Sequence, residues 1–319
     1  MNITVKDDEL FVDDEIDLFD LIKILFNHKF FILITVFIFG LSSILIALSI
    51  PNKYTSDIHL SLAIETSQTS SLMNKYGGLA SMAGIDLPEG EASKKDLALE
   101  ILNSRRFVSK FIDSRDILIP LMASKDWNSY ENKLIIDDEI YDIKKNKWVR
   151  DVTHPYKQKP SNQEAHEYWH KEVYSLSENK ETGFIKINIT HHSPYMARDW
   201  ASWLVKDLNN DMRDQDIYEA TESLEYLYKE LEKVSYDELN NLIYSLIEQD
   251  IKVLSMANTK AEYIFKIIDP PVVSEKKSEP SRALICIVIT LLGGILSCFI
   301  VLLRHFIIDK GNSLKNTYE

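Results

Sequence analysis

Two uncharged apolar runs, Phe30 to Ile50 and Ala283 to Leu303, stand near the two ends of this sequence. As a helix each would rise about 31 Å at 1.5 Å per residue, enough to cross the hydrocarbon core of a bilayer. Backbone in lipid must satisfy its own hydrogen bonds, so both runs read as membrane-spanning helices. The first does not read as a cleavable signal peptide. Its length exceeds the roughly 7 to 15 residues of a signal's apolar region, and Ile50-Pro51-Asn52 offers no small-x-small site. Two spans put both tails on one side and everything from 51 to 282 together on the other.

Charge does not settle which side is which. The tails hold Lys23, Lys29, Arg304, Lys310 and Lys315 near the spans, against Lys53, Lys276, Lys277 and Arg282 on the loop side. Five against four is no bias. The short tails, 1–29 and 304–319, leave no room for the signalling module of a two-span receptor. The glycine cluster Gly77 to Gly84 lacks the Lys-Ser/Thr of a phosphate loop and reads as a mobile loop. With 36 basic and 49 acidic residues, a formal charge of −13, no segment supplies the basic surface that nucleic acid requires. The only cysteines, Cys286 and Cys298, lie inside the second apolar run, so this is not a disulfide scaffold.

Within the loop, Asp57 to Ile64 alternates with period two, as a strand with one buried face does. Residues 67–90 read as loop. Ser93 with Asp96 is a helix-start signature, and Leu97, Ile101, Val108 and Ile112 make one apolar stripe through the helix it predicts. Between Pro120 and Pro160 the pieces Leu134-Ile136 and Trp148-Val149 suggest a small hairpin. Ser161 with Glu164 opens a helix to about Ser175. Ile185, Ile187 and Ile189 mark a second strand, and Tyr263 to Ile268 a third.

The long stretch between Pro194 and Pro270 contains neither glycine nor proline, which predicts extended helical structure. Ile217, Ala220, Leu224, Leu227, Leu231 and Val234 follow 3-4-3-4-3 spacing, a narrow coiled-coil seam. The register then slips by five to Leu239. At the slip Ser235-Tyr236-Asp237-Glu238 forms an S-x-x-E capping box, so one helix ends and another begins there. Two arms of equal length predict a helical hairpin; the alternative is a single kinked helix.

These residues resemble the Wzz family, the polysaccharide co-polymerases or chain-length determinant proteins. Ile16 to Leu21 with Lys29 resembles the family's opening before its first span, and Tyr54-Thr55 resembles the family's entry into the strand beyond that span. His192-Ser193-Pro194, Glu262 to Lys266 and Asp269-Pro270-Pro271 resemble later landmarks. Pro270, Pro271, Pro280, Gly293 and Gly294 resemble the signature near the second span, with two departures: Glu279 stands where a serine is common, and Ser297 where a further small residue is expected. The resemblance covers the chain except roughly residues 120 to 180. It points to the kinase-free branch, which sets the length of O-antigen or a related lipid-linked polysaccharide.

The resemblance implies a two-pass protein of a bacterial inner membrane. The expected class is an α+β membrane protein: tail 1–29 with a short amphipathic segment and tail 304–319, both cytoplasmic; spans 30–50 and 283–303; and a periplasmic domain over 51–282. That domain has an α/β base from about 51–210 and 259–282 and a projecting antiparallel hairpin over about 211–258. The implied partners are further copies of the chain in a ring, an O-antigen-type polymerase, the lipid-linked polysaccharide and the membrane, with no nucleic acid and no cofactor. A capsule or exopolysaccharide co-polymerase or export protein is the alternative.

A different class is raised by His166-Glu167-Tyr168-Trp169-His170, an H-E-x-x-H match that would suit a membrane-tethered zinc peptidase. Val173 and Leu176 replace the Gly and His of the longer motif, and the helix is polar where a zinc helix needs a dry setting, so no metal ligand and no catalytic residue is assigned. His191-His192 reads as turn chemistry. Gly40, Ser43 and Ala47 share one face of the first span, as do Gly293 and Ser297 of the second with Gly294 beside them. Small residues let helix backbones approach closely in lipid, so these six are expected to pack the spans.

Overall fold

The computed structural model describes residues 18–63, 90–233 and 237–315. The glycine cluster, Val234, and Ser235 and Tyr236 of the capping box lie outside them. The chain divides into two units, 1–50 with 280–319, and 51–279.

The first unit is helical. A short helix α1 (Leu18–Asn27) precedes α2 (Lys29–Ser49), and α9 (Arg282–Lys315) packs against both. The span-length parts are Lys29–Ser49 and Arg282–His305. Most of their large apolar side chains are exposed, among them Leu33, Phe37, Leu45, Leu291 and Ile295. A helix apolar all round with its side chains outward is suited to lipid, not to a soluble core. The second helix runs on past Leu303 to Lys315, beyond the apolar run.

The second unit is built on four antiparallel strands, β1 (Tyr54–Leu62), β6 (Tyr174–Glu178), β7 (Ile185–His191) and β8 (Phe265–Asp269). They form one sheet in the order β6-β7-β1-β8. The period-two pattern sets the register: Ile58 stands opposite Ile187 and Leu60 opposite Ile185, all four fully buried. The intervening Asp57, His59 and Lys186 face outward, with Lys186 and His59 paired to the Asp57 carboxylate at 3.1 and 3.2 Å. The long helix α7 (Pro194–Leu231) covers the apolar face with Ala197, Trp200, Ala201, Leu204, Val205, Leu208 and Met212. Its start is fixed by Ser193, which accepts from the Met196 amide, and by Pro194 in the first turn, where a missing N–H costs nothing.

Helices α3 (Gly90–Asn103), α4 (Arg105–Ser114) and α5 (Leu118–Met122) lie beside this layer. The single helix expected to start at Ser93 begins instead at Gly90 and is two helices. Ser104 accepts from the Phe107 amide as the cap of α4 while its hydroxyl donates to Ile101, ending α3. The break moves the buried stripe: Ala98 and Leu102 are inside, and Leu97 is exposed.

The hairpin expected from Leu134-Ile136 and Trp148-Val149 is also corrected. The two pieces belong to separate ribbons, β2 (Ser124–Asn128) with β3 (Lys133–Ile136), and β4 (Tyr141–Asp142) with β5 (Lys147–Trp148). The Ser161–Glu164 capping box is present with both of its bonds. Its helix α6 (Asn162–Tyr168) stops early, however, passing through one π-helical turn (Trp169–Val173) into β6, so Tyr174 and Ser175 are strand. The wider turn seats Trp169, fully buried, beside Phe111 at 5.4 Å and Trp200 at 6.0 Å between ring centres.

Candidate functional site

After the sheet-covering part of α7, its distal half packs against α8 (Asp237–Thr259), so the long helical region is a hairpin and not one kinked helix. Leu227, Ile243 and Ile247 form its own small core, with Leu224 and Leu231 packed on it. Of the proposed seam residues, Leu224, Leu227 and Leu231 lie in this core, Ala220 is buried, Ile217 packs on the main core instead, and Val234 is outside the described residues.

The foot of the hairpin is held by polar groups that no sequence pattern singled out. Arg213 donates from Nη2 to the carbonyls of Lys260 and Ala261 at 2.8 and 2.7 Å. Tyr263 donates to Asp216 Oδ2 at 2.5 Å, and Lys94 pairs with the same oxygen at 2.7 Å. Burial and the Asp216 carboxylate push the Tyr263 phenol up, so it stays a donor. Asn209, 5% exposed, bonds three backbone groups of Ile264 and Phe265 at the start of β8. The chain leaves the base through α7 and is tied back to it at the same place.

In the helical unit Ser43 and Ala47 on α2 and Gly293, Ser297 and Val301 on α9 are buried. The serines donate to their own helices, Ser43 to Gly40 and Ser297 to Gly294, leaving no polar atom to lipid. A Cβ built on Gly293 would stand 2.5 Å from Phe39 Cγ, a contact that real side chains do not make, whereas Gly40 and Gly294 have room at 3.8 and 3.6 Å from Thr290 and Val36.

Residues 14–115 match the family described as "Wzz: Chain length determinant protein", and residues 236–306 match the one described as "G-rich domain on putative tyrosine kinase". The first match spans α2 into the base, and the second runs from the hairpin into α9. This chain carries a chain-length determinant domain of the Wzz family over residues 14–115. It is thereby a regulator of polysaccharide chain length rather than a catalyst. No curated protein matches the chain. Among solved structures, a "full-length bacterial polysaccharide co-polymerase" is 15% identical over 92% of this chain and 99% of its own, with a TM-score of 0.37. The "Fragment of WzzB, Polysaccharide Co-polymerase from Salmonella Typhimurium" is 12% identical over 72% of this chain and 100% of its own, with a TM-score of 0.28.

For a Wzz protein the H-E-x-x-H match is the unexpected feature, and its geometry is that of a packed pair. The His166 and His170 rings lie 4.5 Å apart, His166 Nε2 stands 3.1 Å from the Asn103 carbonyl, and Glu167 accepts from Gln163. Among the described residues no third His, Cys, Asp or Glu joins them in a metal-holding group. The other histidine pair is built into the base. His191 Nε2 donates to the Pro120 carbonyl and its Nδ1 accepts from the Ser193 amide, both at 3.0 Å, an arrangement that fixes the neutral ring. Burial pushes its pKa down to about 4. His192 Nδ1 stands 3.0 Å from the Asn52 carbonyl, and burial lowers its pKa too.

The cleft between α4 and α7 is lined by charge already spent internally. Arg115 holds Asp207 with two nitrogens at 3.0 and 2.5 Å, and Lys110 holds Asp211 at 2.6 Å. Above the usual range sits the Arg115 guanidinium, held there by Asp207. This is ion-paired helix packing, with no acid–base pair set apart for a reaction.

Proposed function

We propose that this Wzz protein sets the modal length of a lipid-linked polysaccharide, the O-antigen of lipopolysaccharide, from the inner membrane of a Gram-negative bacterium. Both tails are cytoplasmic and residues 51–282 periplasmic. Copies assemble into a ring that acts on the membrane polymerase. The number of protomers and the surface they present set how long a growing glycan stays engaged.

The observation that carries this reading is the hairpin itself, because its apolar residues outnumber the positions its own two arms can bury. Leu239, Leu242 and Leu246 share one face of α8 and are 50, 56 and 41% exposed, while Ile243 and Ile247 face α7. A contiguous apolar face on a projecting arm supports contact with further copies. The six small residues of α2 and α9 are proposed to hold the spans of each protomer together.

The match of residues 236–306 to a domain named for a tyrosine kinase favours a second reading, a capsule or exopolysaccharide co-polymerase. Exchanging residues 211–258 for the hairpin of a relative with a different modal length tests the mechanism under either reading. The modal length should move with the hairpin; an unchanged distribution contradicts it.

A further inference from the structure

The two flanks of the four-stranded sheet are finished differently. In the order β6-β7-β1-β8 the outermost strands are β6 and β8. An outermost strand offers unpaired N–H and C=O groups to any strand that comes alongside, including one from another copy of the chain.

Along β8 those groups are already taken. The Ile264 carbonyl accepts from the Ala63 amide on the β1 side, and Lys266 stands opposite Ser61, so by alternation Phe265 and Ile267 turn their backbone groups outward. The amide and the carbonyl of Phe265 are both held by Asn209. The Ile267 amide donates to Glu262 Oε1 at 3.0 Å, which folds a half-buried carboxylate back over the edge. Pro270 and Pro271 follow the strand directly and bring no N–H.

Along β6 the groups are open. Asn179 donates to the Phe184 carbonyl across the turn at 2.9 Å, which assigns Ser175 and Ser177 to the β7 side of the ladder and turns Leu176 and Glu178 outward. Among the described residues no hydrogen bond reaches the outward N–H and C=O of these two. The strand holds no proline, lysine or bulge of the kind that blunts an edge, and its one charge, Glu178, is paired with Lys95 at 2.7 Å.

One open flank is harmless while the other is closed. A β6–β6 pair stops at two copies. If β8 were open as well, β8 of one copy could pair with β6 of the next, a head-to-tail contact that need not close and adds copies without limit. A strand arriving at β8 would have to displace the Glu262 carboxylate from the Ile267 amide and strip it of water, which is costly for a charge.

We infer that the Glu262 carboxylate is an edge seal: it keeps the β6 flank of a second copy off β8, so that sheets of neighbouring copies do not join. The inference is independent of chain-length control, and it leaves contacts between copies to other surfaces.

The test follows the full chain in detergent by light scattering over a concentration series, below the melting temperature of every variant. Glu262→Ala and Glu262→Ser are too short to reach the Ile267 amide, Glu262→Gln keeps an acceptor oxygen for it, and Glu178→Pro removes an exposed N–H that the β6–β7 ladder does not use. Glu262→Ala and Glu262→Ser are expected to gain mass with concentration, to several times that of the parent chain. Glu262→Gln, and Glu262→Ala combined with Glu178→Pro, should stay with the parent. Parental mass in both short variants at all concentrations overturns the inference. So does association of Glu262→Gln equal to that of Glu262→Ala, which would take the hydrogen bond out of the account, or association that persists with Glu178→Pro, which would place it away from β6.

Discussion

Asn209 and Phe265 exchange two hydrogen bonds in the core of the base: Asn209 Nδ2 donates to the Phe265 carbonyl at 2.9 Å, and the Phe265 amide donates to Asn209 Oδ1 at 3.0 Å. The Ile264 amide adds a third at 2.9 Å. Side chain and backbone thus join the helix that leaves the base to the strand that returns to it, 56 residues later.

Removing that amide leaves three buried backbone groups without partners. Each costs roughly 1 to 3 kcal/mol when orphaned, and water entering the space left recovers part of it, so Asn209→Ala should cost about 2 to 4 kcal/mol. Asn209→Asp keeps the two acceptor bonds but loses the donor and buries a charge, so it should also destabilise. Thermal melting of the full chain in detergent reads both; a melting temperature unchanged in Asn209→Ala would show that the clamp does not hold β8.

Gly293 and Phe39 make a one-sided prediction in the spans. Gly293→Ala should destabilise the pairing of α2 with α9, because the new methyl meets Phe39 Cβ and Cγ at 2.6 and 2.5 Å, whereas Gly40→Ala and Gly294→Ala should be tolerated. Phe39→Ala should relieve Gly293→Ala in the double variant, giving a coupling that a thermal-stability cycle measures. Equal effects of all three alanines would contradict the close approach at Gly293.

His191 predicts a pH dependence with a definite sign. An unfolded histidine binds its proton below about 6.5, while the folded ring stays neutral until about 4. Between those values the unfolded state holds more protons, so stability is complete above pH 6.5 and is lost as the pH falls toward 4, by up to about 3 kcal/mol. His192 acts in the same direction. His191→Gln can offer a donor and an acceptor but no titration. Its melting temperature should fall less between pH 7 and pH 4.5 than that of the parent chain; parallel curves would show that the ring titrates normally.

Much of this fold is legible in residue order because single-residue periodicity controls it. Alternation at Ile185, Ile187 and Ile189 fixes a buried strand, uncharged runs of span length fix α2 and α9, and the spacing of Leu224, Leu227 and Leu231 marks the first arm of the hairpin. Two departures come from a local signal extended too far, whereas Ser93 lies inside α3 and is not its start. Ser161 and Glu164 do start α6, but the π-helical turn at Trp169–Val173 shifts the phase and releases Tyr174 into a strand. Ser104 is a cap hidden inside an apolar stripe that runs through two helices. Asn209, Arg213 and the Phe39–Gly293 contact have no signature in sequence, since each depends on a partner brought near only by the folded chain. The small residues of the spans are visible in sequence; which of them faces a ring is not.

The central claim, that this Wzz protein sets polysaccharide length, is tested most directly by the lipopolysaccharide ladder on a gel from a strain lacking the gene, with and without the gene restored. The account predicts that the modal band is lost on deletion, leaving a broad distribution of lengths, and returns on restoration. A ladder with the same modal band in the parent, deletion and restored strains would contradict the O-antigen assignment.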